Sequence, residues 1–397
     1  MSPAPTPDSS AQSLSPSALF EPSETQAAVQ QTARAYAQST LAKDAGRLDR
    51  ECRFPEQHLA ALAELGLMGV NVPAELGGAE AGAVSYALAM IEVAQGCAST
   101  AVTMAVNNMV AETLVKYGSA AQQQKYVPEI TSGRFLAASF GLSESHCGSD
   151  AAALRTTARR DGSSWVLNGS KQWITSGDRA GVIVVWARSD GAAAQSKGIS
   201  CFLVEAGAAG LSIGKHEEKM GLRASSTVSL AFDDLRVPGS ALLGAEGQGV
   251  AIAMNALDGG RIGIASQAVG IGTAALAAAV RYAKERTAFG KAIGEFQGLR
   301  FPLADADTEL FAARLLVLRA AALKEQGAPY TSEGSMAKLF ASEKATRVCD
   351  LAVQVHGGYG YIDEFPVERH YRDARVTTIY EGTSEVQRVV IARGLLQ

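Results

Sequence analysis

The sequence predicts an α+β protein, mostly α, in three parts behind a disordered tail (1–22): an N-terminal helical domain (23–134), a middle antiparallel β domain (135–240) and a C-terminal four-helix bundle (241–397). Three observations predict it. Ala-rich segments of helical period fill both ends of the chain. Strand-like segments set off by turn dipeptides fill the centre. The opening residues are rich in Ser, Pro and Ala and offer little to bury.

From Glu24 to about Arg134 the pattern is helical, with segments at Glu56 to Leu65 after Pro55, Val84 to Val93 and Ser99 to Tyr117, and a main break at Asn71 to Gly78. Ala98 to Met109 is apolar on nearly every face, so that helix is expected to be buried. In the centre, Asp161-Gly162 and Asn168-Gly169 are hairpin-turn dipeptides, and the segments around them (TTARR, SSWVL, SKQWIT) are strand-like. Further strands are expected at Gly181 to Ala187, Ile199 to Val204 and Ser226 to Phe232. Helical segments then recur at about 250–289, 296–326, 332–356 and 385–396, and short connections between them suggest an antiparallel bundle. Phe311, Leu315, Leu318 and Ala322 form one helix face that needs partners.

Composition narrows the function classes. With 47% hydrophobic and 19% charged residues the chain reads as a soluble globular protein, and a net charge of −4 argues against a general nucleic-acid binder. Five scattered cysteines without a CxxC pair fit a reducing compartment, and neither they nor the five histidines show metal-ligand spacing, so no metal is expected. The opening stretch matches neither a secretory signal nor an Arg-rich transit peptide, and no apolar run approaches the roughly 20 residues of a membrane span. A cytoplasmic protein is expected.

Five stretches are weighed for chemistry. VGIGTAA (269–275) matches a loose dinucleotide fingerprint but follows no strand, so close helix packing is its better account. FGLSESHCGSD (140–150) gathers hydroxyls, acids and a flexible Gly148 at the edge of the β domain; a plain polar loop is the competing account. Trp173-Ile174-Thr175 offers a flat apolar face with a hydroxyl two residues on, although a tryptophan is ordinarily core. QVHGGYGYIDEFPVERHYRD (354–373) sets glycines beside aromatics, where the backbone can approach a ligand closely or a helix simply ends. In RDARVTTIYEGTSEVQR (372–388), Glu381 sits between Tyr380 and Gly382 at a junction that opens a terminal helix, with Ser384 and Gln387 at capping-box spacing. Glu381 is a candidate base or an ordinary helix-terminal acid.

Together these stretches resemble the acyl-CoA dehydrogenase family from about Glu24 to the end. GCASTAV, LDGGRIGIASQA and RHYRDARVTTIYEGTSE look closest to its short-chain, butyryl-CoA type. Ser145-His146-Cys147 departs from it, since the family usually has Pro and then two small residues there. The resemblance implies a helical, β and four-helix-bundle fold, usually a homotetramer, with FAD between the β domain and the bundle. Phe140, Leu142 and Ser143 match positions along the flavin ring, Trp173 and Thr175 its other side, and Ser149 a position near the phosphates that also meets substrate. Arg286, Phe289 and Gln297 match residues reaching a neighbouring subunit's FAD, as do Gln354 to Gly358, with Gln354, Gly357 and Gly358 assigned to the cofactor. Thr383 and Glu385 match further cofactor contacts. Asp258 and Arg261 match positions at the nucleotide end of the acyl-CoA, while Tyr380 and Gly382 line the thioester. The implied reaction is α,β-dehydrogenation with Glu381 as base and electrons passed to an electron-transfer flavoprotein. An oxidase or monooxygenase of the same fold, or a non-catalytic acyl-CoA- or FAD-binding protein, are the alternatives. Some relatives carry the base just before the residue matching Arg261, and there this chain has Gly260.

Overall fold

The computed structural model describes residues 21–190 and 197–396, so of the tail expected over 1–22 all but Glu21 and Pro22 lies outside the described residues. Helix α1 (Glu24–Tyr36) opens on a capping box in which the Ser23 hydroxyl and the Gln26 side chain each accept from the other's backbone N–H. A π turn (Ala37–Leu41) carries it into α2 (Ala42–Glu51), and α3 (Glu56–Glu64) follows Pro55. The expected break at Asn71 to Gly78 holds a single 3-10 turn, Ala74–Leu76, closed by Gly77 at φ 80°. Helices α4 (Gly82–Gly96), α5 (Ala98–Tyr117) and α6 (Ala120–Thr131) complete the N-terminal part. Every residue of α5 from Ala98 to Met109 is buried, as its all-round apolar pattern predicts. Its two buried asparagines bind backbone that would otherwise be unpaired. Asn107 Oδ1 accepts from the Ala138 N–H at 2.8 Å and Asn108 Oδ1 from that of Val70 at 2.9 Å.

The centre is an eight-stranded sheet. Its strands are β1 (Ala137–Gly141), β2 (Thr157–Asp161), β3 (Ser164–Thr175), β4 (Ala180–Arg188), β5 (Ile199–Glu205), β6 (Leu211–His216), β7 (Thr227–Pro238) and β8 (Leu242–Leu243). The order is β6-β7-β3-β2-β4-β5-β8, with β1 beside β4. Pairing is mostly antiparallel, as expected, but β1 and the start of β2 run parallel to β4. Of the two turn dipeptides, Asp161-Gly162 does join β2 to β3. Asn168-Gly169 does not turn: it lies inside β3 at a register shift against β7, with Gly169 at φ 143°. The reason is local. The Asn168 side chain is tied to Asp234 by two hydrogen bonds, and a Cβ at Gly169 would lie 2.8 Å from Thr156 Cα, so the residues make a bulge where backbones approach closely.

The C-terminal part packs α7 (Gly249–Glu285), α8 (Gln297–Glu325), α9 (Thr331–His356) and α11 (Ser384–Leu396), with a small hairpin of β9 (Thr287–Ala288) and β10 (Lys291–Ala292) before α8. A fifth helix, α10 (Val367–Arg375), lies inside the stretch read as a glycine-rich loop, after a 3-10 turn at Gly357–Tyr361. Helix α7 is long and apolar enough to cross a membrane, which corrects the reading of the apolar runs, but 83% of the qualifying window is buried inside the protein. The VGIGTAA glycines lie within it and serve packing: Cβ atoms at Gly270 and Gly272 would come 2.4 Å from Ile91 O and 2.7 Å from Leu310 Cδ2. On α8 the buried row is Leu310, Ala313, Val317 and Ala320, while Phe311 of the expected core face is 63% exposed. Leu318 of that face still packs half-buried against the alanine-rich core.

Candidate active site

Glu381 is held by its backbone. After a 3-10 turn at Val376–Thr378, the N–H groups of Ile379 and Tyr380 donate to Val376 O, and Glu381 and Gly382 then take φ values of 54° and 84°. A non-glycine residue in that region costs about 1–2 kcal/mol, so it persists where neighbours fix it. They do here. Gln387 Nε2 donates to Glu381 O (3.1 Å) and Gly382 O (2.9 Å), and Lys338 Nζ donates to Gly382 O (2.7 Å). The expected capping box is therefore replaced: Thr383 Oγ1 accepts from the Val386 N–H at 3.3 Å, and the Gln387 amide serves the loop carbonyls. Among the described residues the amide N–H of Glu381 has no acceptor.

The residue as a whole is half-buried, but Oε2 of Glu381 is fully buried and without a hydrogen-bond partner. It points at the bare backbone of Gly260 on α7, since a Cβ there would lie 2.7 Å from it. Burial raises the carboxyl pKa to about 7, against the opposing charges of Arg261 and Lys338. Beside the carboxylate, the Tyr380 hydroxyl donates to Gln267 Oε1, and Gln267 Nε2 donates to Ala98 O at 2.8 Å. The phenol of Tyr86 is packed against Gly263, and burial pushes its pKa well up.

Arg261 is 5% exposed and bonded to Asp258 (2.5 Å) and Ser335 (3.3 Å), with its Nε unpartnered. Its charge bears on Glu381, since Gly260 and Arg261 share the turn of α7 that meets the Glu381 loop. Asp258 is its partner and accepts from Thr331 Oγ1.

A second group lies on the sheet. Ser139 Oγ donates to Thr175 O and the Gln172 N–H to Ser143 O, so residues 139–143 run along 172–175. Leu142 is buried, Ser143 and Thr175 are half-buried, and Phe140 packs on Trp186. Trp173, at φ 63°, is 60% exposed and turned out beside them. An exposed flat ring fits a heteroaromatic group such as a flavin better than a core position. Ser149 is exposed next to Gly148, whose absent Cβ would meet nothing within 4 Å.

A third group is divided. Arg286, Gly357 and Gly358 line one cavity of about 510 Å³, whereas Gln354 lines another, of about 220 Å³, between α8 and α9. Phe289 tips the β9–β10 hairpin at 95% exposure, and Gln297, which opens α8, is exposed. Thr383 is spent on its cap and Glu385 is exposed.

The unusual Ser145-His146-Cys147 lies on a tight turn closed by a backbone bridge between Glu144 and Cys147. Ligand atoms of Glu144, His146 and Cys147 come within 4.8 Å of one another, yet the carboxylate is already committed. Its Oε1 accepts from Lys171 (2.8 Å) and Thr156 Oγ1 (2.6 Å), and its Oε2 from the Arg155 N–H (2.8 Å). Burial opposes its ionisation, but Lys171 outweighs that and holds the carboxyl at about 2. Burial pushes the Cys147 thiol up, away from the reactive thiolate. Sequence reading missed Lys171, Gln267 and Lys338. A signal for the last existed, as a lysine in register with Ala337, Ala341 and Ala345 on a buried helix face.

Family models described as the N-terminal, middle and C-terminal domains of acyl-CoA dehydrogenase match residues 23–134, 139–235 and 247–396. The short-chain specific mitochondrial acyl-CoA dehydrogenase of Bos taurus is 50% identical over 375 residues, which cover 94% of this chain and 90% of that one. The butyryl-CoA dehydrogenase structure from Megasphaera elsdenii superposes with a TM-score of 0.93 at 39% identity, covering 95% and 100% of the two chains. A chain in a structure titled for the electron transferring flavoprotein of Acidaminococcus fermentans superposes with a TM-score of 0.94 at 43% identity, covering 95% and 99%.

Proposed function

The chain belongs to the acyl-CoA dehydrogenase family and is an FAD-dependent oxidoreductase, and on that premise we propose that it dehydrogenates short acyl-CoA thioesters with Glu381 as the base. One observation carries this: a carboxylate whose Oε2 is buried, unpartnered and aimed at the bare backbone of Gly260. An α-carbon brought against Oε2 gives its proton to it, and the C–H electron pair forms the new double bond as the β-hydrogen departs with its own pair. Bound FAD supplies the hydride acceptor. The unspent N–H of Glu381 is available to the thioester oxygen, where it stabilises the charge that builds as the proton leaves. A free glutamate, at about 4.3, is a weak base for such a proton; burial brings Glu381 to about 7, where base strength and ionised fraction are both useful.

Three further readings follow. The short-chain names of the relatives support a short acyl chain, and Gln267, fully buried, ties Tyr380 beside the base to Ala98. Electron transfer to a flavoprotein partner is supported by the structure titled for one. A homotetramer is supported by aromatic side chains left open on a single chain: Phe289, Tyr361, Phe301 and Phe311.

Anaerobic bleaching of the purified yellow protein by acyl-CoAs of graded length tests the assignment. Bleaching should be fastest near four to six carbons, an order-of-magnitude guess about cavity depth. Faster bleaching by dodecanoyl-CoA refutes the chain length, absence of bleaching refutes the reaction, and rapid aerobic peroxide formation makes the protein an oxidase.

A further inference from the structure

Lys338 lies on α9 among Gly334, Ala337, Ala341 and Ala345, and its relative exposure is 0%. An ammonium group on a packed alanine face is costly unless its contacts offset the lost hydration. No carboxylate lies within 4.0 Å of it among the described residues. Its hydrogen bond, at 2.7 Å, goes to the carbonyl of Gly382, the residue that follows Glu381 and shares its left-handed turn. Gln387 Nε2 reaches the same oxygen at 2.9 Å, so two donors converge on one peptide group.

We propose that Lys338 is a positioning residue for proton abstraction: its ammonium pins the Gly382 carbonyl so that the carboxylate of Glu381 stays against Gly260, and its charge keeps that carboxylate ionised. This rests on the reading of Glu381 as the base. The groups around the carboxylate set how much Lys338 matters. From α7 it faces Arg261, from α4 the phenol of Tyr86, from its own loop Tyr380, and from α9 Lys338. Lys338 in turn faces Arg261, Glu385 of α11 and Glu343 of its own helix. Glu343 is bound to Arg388 at 2.7 Å, and Arg261 to Asp258 at 2.5 Å. Of the two cations near the base, Arg261 therefore shares its charge with an acid and Lys338 does not. Burial lowers the ammonium to about 8, which leaves it charged where Glu381 must ionise.

Lys338→Met removes charge and hydrogen bond, and Lys338→Gln keeps an amide that can donate to the same carbonyl. Both are compared as FAD-loaded enzymes with wild type and Glu381→Gln by anaerobic rapid mixing with butyryl-CoA along the acid limb of flavin reduction. The expected result is FAD retention and acyl-CoA affinity near wild type, a reduction rate lower by about 10–100-fold in the Met variant and less in the Gln variant, and an acid limb about one unit higher in both. An acid limb unmoved in both variants overturns the proposal, whether the rate is intact or falls together with FAD retention and melting temperature, since a packing lysine would act on those alone. Should the Met variant not fold, the Gln variant decides by the same limb. If wild type bleaches no faster than Glu381→Gln, the reading of Glu381 falls and this one with it; if wild type bleaches, Glu381→Gln does not and the limb stays put, this one falls alone.

Discussion

Gly260→Ala separates the catalytic demand on α7 from the structural one. The added Cβ would lie 2.7 Å from Glu381 Oε2, 3.1 Å from Glu381 Cδ and 3.1 Å from Met109 Sδ. Ordinary contact begins near 3.4 Å, so the carboxylate must retreat by about 0.7 Å or turn away. Its backbone cannot give way, because both carbonyls of its turn are held by Gln387 and Lys338. A displacement of that size in a reacting group costs about 10–100-fold in rate. The helix itself should gain, since alanine in a helix interior is more stable than glycine by about 0.8–1 kcal/mol, less whatever strain the crowding adds. The expected variant is thus an FAD-loaded protein that melts at or slightly above the wild-type temperature and reduces its flavin slowly. Stopped-flow absorbance under anaerobic butyryl-CoA, with a thermal melt of the same preparation, measures both. A melt unchanged or raised together with wild-type reduction would refute the reading that the bare backbone of Gly260 sets the position of the Glu381 carboxylate. A much lower melting temperature would show that the strain lies in α7 instead.

Two other outcomes follow from charges in the interior. Glu381 must be ionised to take a proton and its carboxyl is raised to about 7, so kcat/KM should fall about tenfold per unit below that pH and level off above it, and Glu381→Gln should lose several orders of magnitude in reduction rate while still binding FAD and acyl-CoA; a limb near the ordinary glutamate value, or near wild-type bleaching in Glu381→Gln, removes this residue from the mechanism. Lys171→Met should cost about 3–5 kcal/mol in a denaturant melt at neutral pH, because it leaves the buried carboxylate of Glu144 uncompensated, and since that carboxyl is depressed to about 2 its contribution is present above 4.5 and lost as pH falls toward 2; a melt within error of wild type would mean that the carboxylate finds other compensation.

The order of helical, β and helical parts was legible because it depends on local signals: the all-round apolar run at Ala98 to Met109, the Asp161-Gly162 turn and the β-branched runs of β4 and β5. Glu381 stood out in the same way as a candidate base or an ordinary helix-terminal acid, from an acid set between an aromatic and a glycine with a helix opening behind it. Local signals failed where a distant partner overruled them. Asn168-Gly169 reads as a turn until Asp234 and Thr156 make it a bulge, and Ser384 with Gln387 reads as a capping box until the carbonyls of Glu381 and Gly382 claim the glutamine. That Arg261 is buried and its charge bears on Glu381 is likewise set by α7 and not by any local signal. What sequence could not give is the environment of the carboxylate, which is assembled from Gly260 and Arg261 on α7, Lys338 on α9 and Gln387 on α11. Whether Glu381 is an ordinary acid or a base near pH 7 depends on how much water and how many charges surround it, and those are set by elements scattered along the chain, from Gly260 to Gln387, that meet only when the bundle closes.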